Sequence, residues 1–325
     1  MNKEIIPANS RPILIALLII AFLLTLSIIE LSSYLRLQEA GVGCQPWPQC
    51  YGVIQKTELR TALTPAEPLK RIHRLVATLL LITIGGISYI LFRNRGTTKA
   101  MRKSCVHIIA LLIILSVIGP YTPEKQYPLL ALLNITCGFL LLAGIAYLGY
   151  QILPNKQKSI HHSPLLKQWV KRCIYLVIAA IALGAWSSAN FAPLATTSES
   201  SLVKRLLPAF NPLRELAVDS QYRVIADAAT ALIRNSHLLV SLLLSFILVQ
   251  LAIVLIWKQP AMRLAGTSLL ALVFIESALG WLSLSHSVSL TTVLAHHAIA
   301  GLMLLLLIYI HFILNSNIEK PNHDR

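Results

Sequence analysis

Charged residues are scarce in this sequence. They make up only 13% of its 325 residues, against about 25% in a typical soluble protein. Hydrophobic residues make up 56%, the mean hydropathy is +0.68, and the apolar residues lie in long runs. This composition excludes a soluble enzyme, a disordered tail and a coiled coil. It predicts a polytopic membrane protein.

Acidic residues and cysteines are scarce as well. There are 13 Asp and Glu residues against 28 Lys and Arg residues, which gives a net charge of +15. The basic residues lie in the gaps between apolar runs rather than among aromatic residues. They therefore indicate membrane orientation, and we expect no nucleic acid partner. Five cysteines are too few for a disulfide scaffold.

Eight apolar segments are long enough to span a bilayer as helices, which takes about 20 residues. Because unpaired sheet edges cannot lie in lipid, we expect helices rather than strands. The first segment has no small-residue cleavage site after it and is expected to be a retained helix. The predicted fold class is an all-α integral membrane protein with eight transmembrane helices. The segments are 12–35, 65–92, 104–120, 127–150, 172–192, 236–257, 262–283 and 288–314.

The charges of the loops predict the orientation of these helices. Loops 93–103 and 151–172 each contain five Lys and Arg residues, whereas the opposite loops 120–126 and 284–289 contain one and none. Since basic loops stay in the cytoplasm, both termini are predicted to be cytoplasmic. The N-terminal segment lacks the composition of a mitochondrial transit peptide, which favours the inner (plasma) membrane of a bacterium.

Equivalent residues recur at a nearly constant separation along the chain. His73 and His237 are 164 residues apart, and Asn134 and His296 are 162 apart. A fixed period of this kind indicates an internal duplication. We therefore predict two pseudo-repeated four-helix bundles. The N-terminal bundle comprises residues 1–155 and the C-terminal bundle residues 156–325.

Four histidines near the predicted outer ends of the spans are candidate ligands, because ionisable residues inside a membrane are costly. They are His73, His237, His296 and His297. His237 begins its predicted helix and His296 lies about two turns from the outer end of the last one, so the two can face each other. Facing imidazoles can hold a haem iron; the alternative is a pair that donates to neighbouring carbonyls. His297 lies about 100° around the helix from His296, and His296 is the preferred ligand.

Two further features lie outside the histidine set. Cys44 and Cys50 flank a Pro-Trp-Pro turn in a loop predicted to face the outside, where the two cysteines can form a disulfide. Glu276 is an acid within the seventh predicted span. It can relay protons or set the potential of a nearby haem, or form a structural hydrogen bond between helices.

Taken together, these motifs resemble the heme A synthase family of respiratory membranes, over nearly the whole chain. The cysteine loop is the most specific part of the resemblance. The matching residues are Arg36-Leu37, Gly41, Cys44, Pro46-Trp47-Pro48, Cys50, His73-Arg74, Leu183-Gly184-Ala185-Trp186, His237, His296 and Ala300.

The resemblance implies an enzyme that oxidises a methyl group of haem O to the formyl group of haem A for cytochrome oxidase assembly. The family's C-terminal bundle holds a haem b, and its N-terminal bundle takes the substrate haem. Implied partners are haem O, a farnesyltransferase that produces it, cytochrome oxidase assembly factors and membrane lipid.

The resemblance also implies roles for individual residues. His237 and His296 would ligate the iron of haem b, and His73 would be the catalytic residue that ligates the iron of the substrate haem. Cys44 and Cys50 match loop cysteines that can form a disulfide in this family. Arg74 would pair with a haem propionate; the alternative is an anchor at the membrane interface.

Two positions depart from the pattern of the family. Asn134 stands where the family has a second histidine, and Lys70 stands where it has a glutamate, three residues before His73. Two accounts remain open. In one, a haem held by His73 alone keeps an open coordination position that suits oxidation. In the other, the first site is inactive and the protein is a non-catalytic haem b-binding cytochrome or haem carrier in oxidase assembly.

Overall fold

The computed structural model describes most of the chain. The described residues are 10–42, 51–52, 66–122, 127–153, 163–194, 202–220, 223–283 and 289–315. Within these ranges the regular structure is helical apart from one isolated antiparallel bridge between Val218 and Val224. The predicted all-α class is confirmed.

Nine α-helices lie in the described ranges, and eight of them are long and apolar enough to cross a membrane. The exception is the short α6. The predicted number of transmembrane helices is therefore confirmed. The helices are α1 (Arg11–Ala40), α2 (Ala66–Arg93), α3 (Lys99–Ile118), α4 (Pro128–Ile152), α5 (Pro164–Ala189), α6 (Leu202–Ala209), α7 (Ala228–Lys258), α8 (Arg263–Leu282) and α9 (Leu290–Asn315).

Two helices begin about two turns earlier than their apolar runs predict. α5 begins at Pro164, where the Ser163 hydroxyl accepts a hydrogen bond from a backbone N–H of the first turn. α7 begins at Ala228 and is capped by Asp227. His237 therefore lies in the third turn of its helix, and the prediction that it begins the helix is wrong. Polar first turns are held by capping side chains, which a hydropathy pattern does not detect.

The helices pack around two buried apolar clusters. The first comes from α1 to α4 and includes Leu14, Leu80 and Ile108. The second comes mainly from α5, α7, α8 and α9, but it also takes Ile29 from α1 and Phe139 from α4. Helix association in lipid depends on such close packing rather than on exclusion of water. The domain boundary at residue 155 and the internal repeat stay predictions.

A third apolar cluster closes one end of the molecule, and we call it the cap cluster. Gly52 connects its segments: its N–H donates to the Ala40 carbonyl, and its own carbonyl accepts from the Val224 N–H, both at 3.0 Å. Gly52 has a φ of +80°, and an added Cβ would lie 2.9 Å from Leu194, so this turn requires glycine. The cluster consists of Leu37, Ala40, Val42, Tyr51, Phe191, Leu216 and Val224.

Asp227 stabilises the first turn of α7. Its carboxylate accepts from the Thr230 N–H at 2.9 Å and from Arg214 Nη2 at 2.8 Å. Partial burial favours the neutral acid, but the hydrogen bonds from Arg214 and Thr230 outweigh it and lower the pKa of Asp227. The folded state therefore favours the charged carboxylate.

Substitution of Asp227 by alanine is expected to lower the free energy of unfolding by about 1 kcal/mol at neutral pH. Asp227→Asn keeps a capping acceptor but loses the charge. Because the pKa is lowered on folding, the advantage of wild type over Asp227→Asn is fully present above about pH 3.9 and is lost as the pH falls through the folded-state value. Thermal unfolding in detergent across this pH range tests both effects. If wild type remains more stable than Asp227→Asn in acid, the stabilising role of the Asp227 charge is contradicted.

Candidate functional site

His237 and His296 lie on α7 and α9, and each imidazole packs against a glycine of a neighbouring helix. A Cβ at Gly184 of α5 would lie 3.0 Å from Cε1 of His237, and one at Gly280 of α8 would lie 3.3 Å from Cε1 of His296. The two imidazoles are close enough to interact electrostatically. The structure therefore brings this predicted pair into one site, and a side chain at either glycine would displace an imidazole.

Glu276 lies beside one of these imidazoles. Its Oε1 is 3.2 Å from Nδ1 of His296, which is within ion-pair distance, but the two atoms are not aligned as a hydrogen bond. Glu276 is located on α8 one turn before Gly280. A hydrogen bond from Nδ1 to a carboxylate is the usual way to direct the other ring nitrogen, Nε2, toward a metal. The contact joins α8 to α9, as the predicted structural contact between helices does. The predicted roles in proton relay and in setting a haem potential stay predictions.

The residues of this site fit the ligation of a haem iron. Within the described ranges no group of three or more His, Cys, Asp and Glu side chains is arranged to hold a metal ion. Two imidazoles suffice for a haem, because the porphyrin supplies the remaining nitrogens. Three buried polar atoms here, Nδ1 of His237, Nδ1 of His296 and Oε2 of Glu276, have no hydrogen-bond partner among the described residues. Buried polar groups are normally satisfied, so these atoms are available to a further polar partner.

His297 contacts α1 and also remains close enough to His237 and His296 to interact with both electrostatically. Its Nδ1 lies 3.3 Å from the hydroxyl oxygen of Ser33 on α1. It also lines a cavity of about 70 Å³ together with Glu30 and Phe139. The centres of the His296 and His297 rings are 6.5 Å apart. The preference for His296 over His297 as the ligand stays a prediction.

His73 lies on α2, half-buried, and Arg74 beside it is exposed. One turn before His73, Lys70 Nζ lies 2.8 Å from Oε1 of Glu39 and 3.7 Å from Oε1 of Glu67. The cation that replaces the family's glutamate is therefore paired with a carboxylate from α1. Glu39 is missed by the sequence because the first predicted span stops at residue 35, whereas α1 continues to Ala40.

Asn134 is also tied to α1. Its side-chain amide donates to the hydroxyl of Ser32 at 3.3 Å. The residue that replaces the family's second histidine thus holds two helices together. Cys44 and Cys50 lie outside the described residues, and their pairing stays a prediction.

An apolar groove of about 350 Å³ lies between α2 and α3. Leu81 at its wall is about two turns beyond His73 on α2. The groove is thus an opening along α2, the helix that carries His73, the candidate ligand of the substrate. It is lined by Leu81, Ile84, Gly85, Ser88, Ile109, Leu112, Ile113, Ser116 and Val117.

Substitution of Glu276 by glutamine is expected to raise the midpoint potential of a haem bound between His237 and His296 by on the order of 60 mV, a tenfold change for a one-electron couple. The carboxylate would stabilise the oxidised, more positive iron through its own charge and through His296, and a neutral amide would do so less. A redox titration of the purified protein measures the shift. Glu30→Gln is the matched control, because Glu30 lines the cavity beside His297. Equal potentials for Glu276→Gln and wild type would contradict the contact.

Eight helices that are long and apolar enough to span a membrane, with two neighbouring histidines on α7 and α9, define a polytopic membrane protein with a candidate pair of metal ligands. The family model described as cytochrome oxidase assembly protein (COX15-CtaA) matches residues 15–308, so the chain belongs to this family. A heme A synthase from Shewanella oneidensis is 27% identical over 319 residues, which cover 92% of this chain and 96% of that protein. The resemblance to the heme A synthase family is confirmed.

Proposed function

We propose that this protein is a heme A synthase that oxidises a methyl group of haem O to the formyl group of haem A for cytochrome oxidase assembly. The observation that carries the proposal is the imidazole pair of His237 and His296, set against glycines in a chain of this family. The similarity to the Shewanella protein extends over almost the full length of both chains.

In this proposal the second half holds a resident haem b. His237 and His296 would ligate its iron, and Glu276 would hold the Nδ1 proton of His296. Gly184 and Gly280 leave space for the two rings. When bound, the haem supplies one-electron redox chemistry, with a potential set by its ligands and their hydrogen bonds. The protein supplies the ligands, their orientation and the exclusion of water.

The first half would bind the substrate. His73 would ligate the iron of haem O, and Arg74 on the next position of α2 would reach a propionate. The groove between α2 and α3 supports this assignment, because an apolar substrate can enter from the bilayer only where neighbouring helices leave an opening. The assignment of residues 1–155 to the substrate and 156–325 to haem b is part of the same proposal.

The membrane context follows from the basic loops. We propose a multi-pass protein of a bacterial inner membrane with both termini in the cytoplasm. It would receive haem O from a farnesyltransferase and deliver haem A to cytochrome oxidase assembly factors.

A second function, a non-catalytic haem b cytochrome or haem carrier, is favoured by two contacts in the first half. Asn134 is bound to Ser32, and Lys70 is paired with Glu39. Neither residue is a histidine or an acid that could complete a second ligand set at His73.

Haem extraction separates the two functions. The chain is expressed in a host that makes haem O but has no heme A synthase, with an empty vector as control, and the extracted haems are separated by chromatography. Haem A together with protein-bound haem b is the expected result. Haem b without haem A would support the cytochrome, and a protein free of haem would contradict both functions.

A further inference from the structure

Arg36 on α1 is a cation with buried guanidinium nitrogens and unused hydrogen-bond donors. Its Nη1 donates to the hydroxyl of Ser188 on α5 at 2.7 Å. Its Nε and Nη2 are buried and have no hydrogen-bond partner among the described residues. A guanidinium carries five N–H donors in a planar fork that matches a carboxylate. Arg36 therefore has most of its donors available for a ligand.

A buried arginine without a counter-ion is costly, because burial removes the water that would stabilise its charge. Three acidic residues at this end of the molecule have other partners. Glu39 is paired with Lys70, Asp227 with Arg214, and Glu276 lies against His296. Within the described ranges no acidic residue forms an ion pair with Arg36, so its charge can attract an anion from elsewhere.

The position of Arg36 identifies which site such an anion belongs to. Ser188, its hydrogen-bond partner, lies one turn of α5, or about 6 Å, from Gly184, which contacts the ring of His237. Arg36 is also close enough to His297 to interact with it electrostatically. The guanidinium therefore lies at the edge of the His237 and His296 site, on the side of the cap cluster.

The geometry points to Arg36 as the residue that binds a propionate carboxylate of the haem held by His237 and His296. The inference rests on the proposed haem b site and adds to it a contact from α1, a helix of the first half. Haem carries its two propionates on one edge, and a guanidinium binds such a carboxylate through paired charge-assisted hydrogen bonds.

The cap cluster shields this contact. Tyr51 is 5% exposed and interacts electrostatically with Arg36. Burial raises the pKa of Tyr51, which Arg36 only partly offsets, so the hydroxyl stays protonated and remains a donor. Its ring packs on Phe191, with the ring centres 5.3 Å apart. An anion at Arg36 would thus lie beneath a water-excluding layer, where a charge-assisted hydrogen bond is strong.

Reconstitution with haem analogues tests the inference. The full-length protein from haem-depleted cells is titrated in detergent with haem b or with its dimethyl ester, which lacks the carboxylate charge. Wild type is expected to bind the diacid at least about tenfold more tightly than the diester. Arg36→Gln is expected to lose this preference, Arg36→Lys to keep part of it, and the exposed Arg93→Gln to keep all of it.

Each outcome has a distinct meaning. Equal binding of diacid and diester by wild type would overturn the inference, and this result does not depend on whether Arg36→Gln folds. A preference for the diacid that persists unchanged in a folded Arg36→Gln protein would also overturn the inference. If that variant instead loses bound phospholipid, the anion at Arg36 is a lipid phosphate. Failure of wild type to bind either haem would instead contradict the proposed haem b site.

Discussion

Replacement of His296 by alanine is expected to reduce the haem bound in the second half more than tenfold, whereas His297→Ala is expected to keep most of it. His296 lies against Gly280 and Glu276, inside the site shared with His237. His297 is turned toward Ser33 of α1. Loss of an outer-shell partner of a metal ligand already costs 10- to 100-fold in affinity, so loss of the ligand itself costs at least as much.

The adjacent position provides the control for this experiment. Both variants remove one imidazole from the same turn of α9, so a general destabilisation of the helix affects them alike. Haem per protein and the reduced-minus-oxidised spectrum are measured, with free imidazole added to the His296→Ala protein to restore the missing ligand. Loss of haem in His297→Ala with retention in His296→Ala would show that the ligands are assigned the wrong way round.

Replacement of His73 by alanine is expected to lower the yield of haem A more than tenfold while haem b stays bound. His73 lies on α2, whereas His237 and His296 lie on α7 and α9, so removal of the candidate substrate ligand leaves the other two histidines in place. His107→Ala is the control, because His107 is exposed on α3. Chromatography of extracted haems measures both products. Haem A formation that survives His73→Ala would exclude His73 as the ligand of the substrate.

Asn134→His is the companion variant, because it restores the histidine that the family has at this position. A higher yield of haem A would show that the first site is a weakened catalyst. If neither wild type nor Asn134→His produces haem A, the result would support the non-catalytic cytochrome. The variant also removes the hydrogen bond to Ser32, so Asn134→Ala separates that loss from the gain of a ligand.

The sequence predicts the helices better than it predicts their ends. Runs of about 20 apolar residues are sufficient evidence for spans, and all eight exist. The first turns of α5 and α7 are polar and depend on Ser163 and Asp227 as caps. Hydropathy does not record such local hydrogen bonds, and His237 is consequently placed too near a helix end.

The candidate ligands can be predicted from the sequence, but their surroundings cannot. Imidazoles inside apolar runs are conspicuous because burial of polar groups is costly. The hydrogen-bonding groups around them are not conspicuous in the sequence. Arg36 and its partner Ser188 are 152 residues apart, and Ser33 and its partner His297 are 264 residues apart. Such pairs form only when helices pack, and no local pattern encodes them.

The polar contacts of α1 make its rotation about its own axis important for the whole molecule. Ser32, Ser33, Arg36 and Glu39 lie within two turns and reach α4, α9, α5 and α2 respectively. A single residue inserted earlier in α1 would turn this segment by about 100° and separate all four pairs at once. The rotation of α1 about its axis therefore couples both candidate haem sites, and a change in this rotation would impair both sites together.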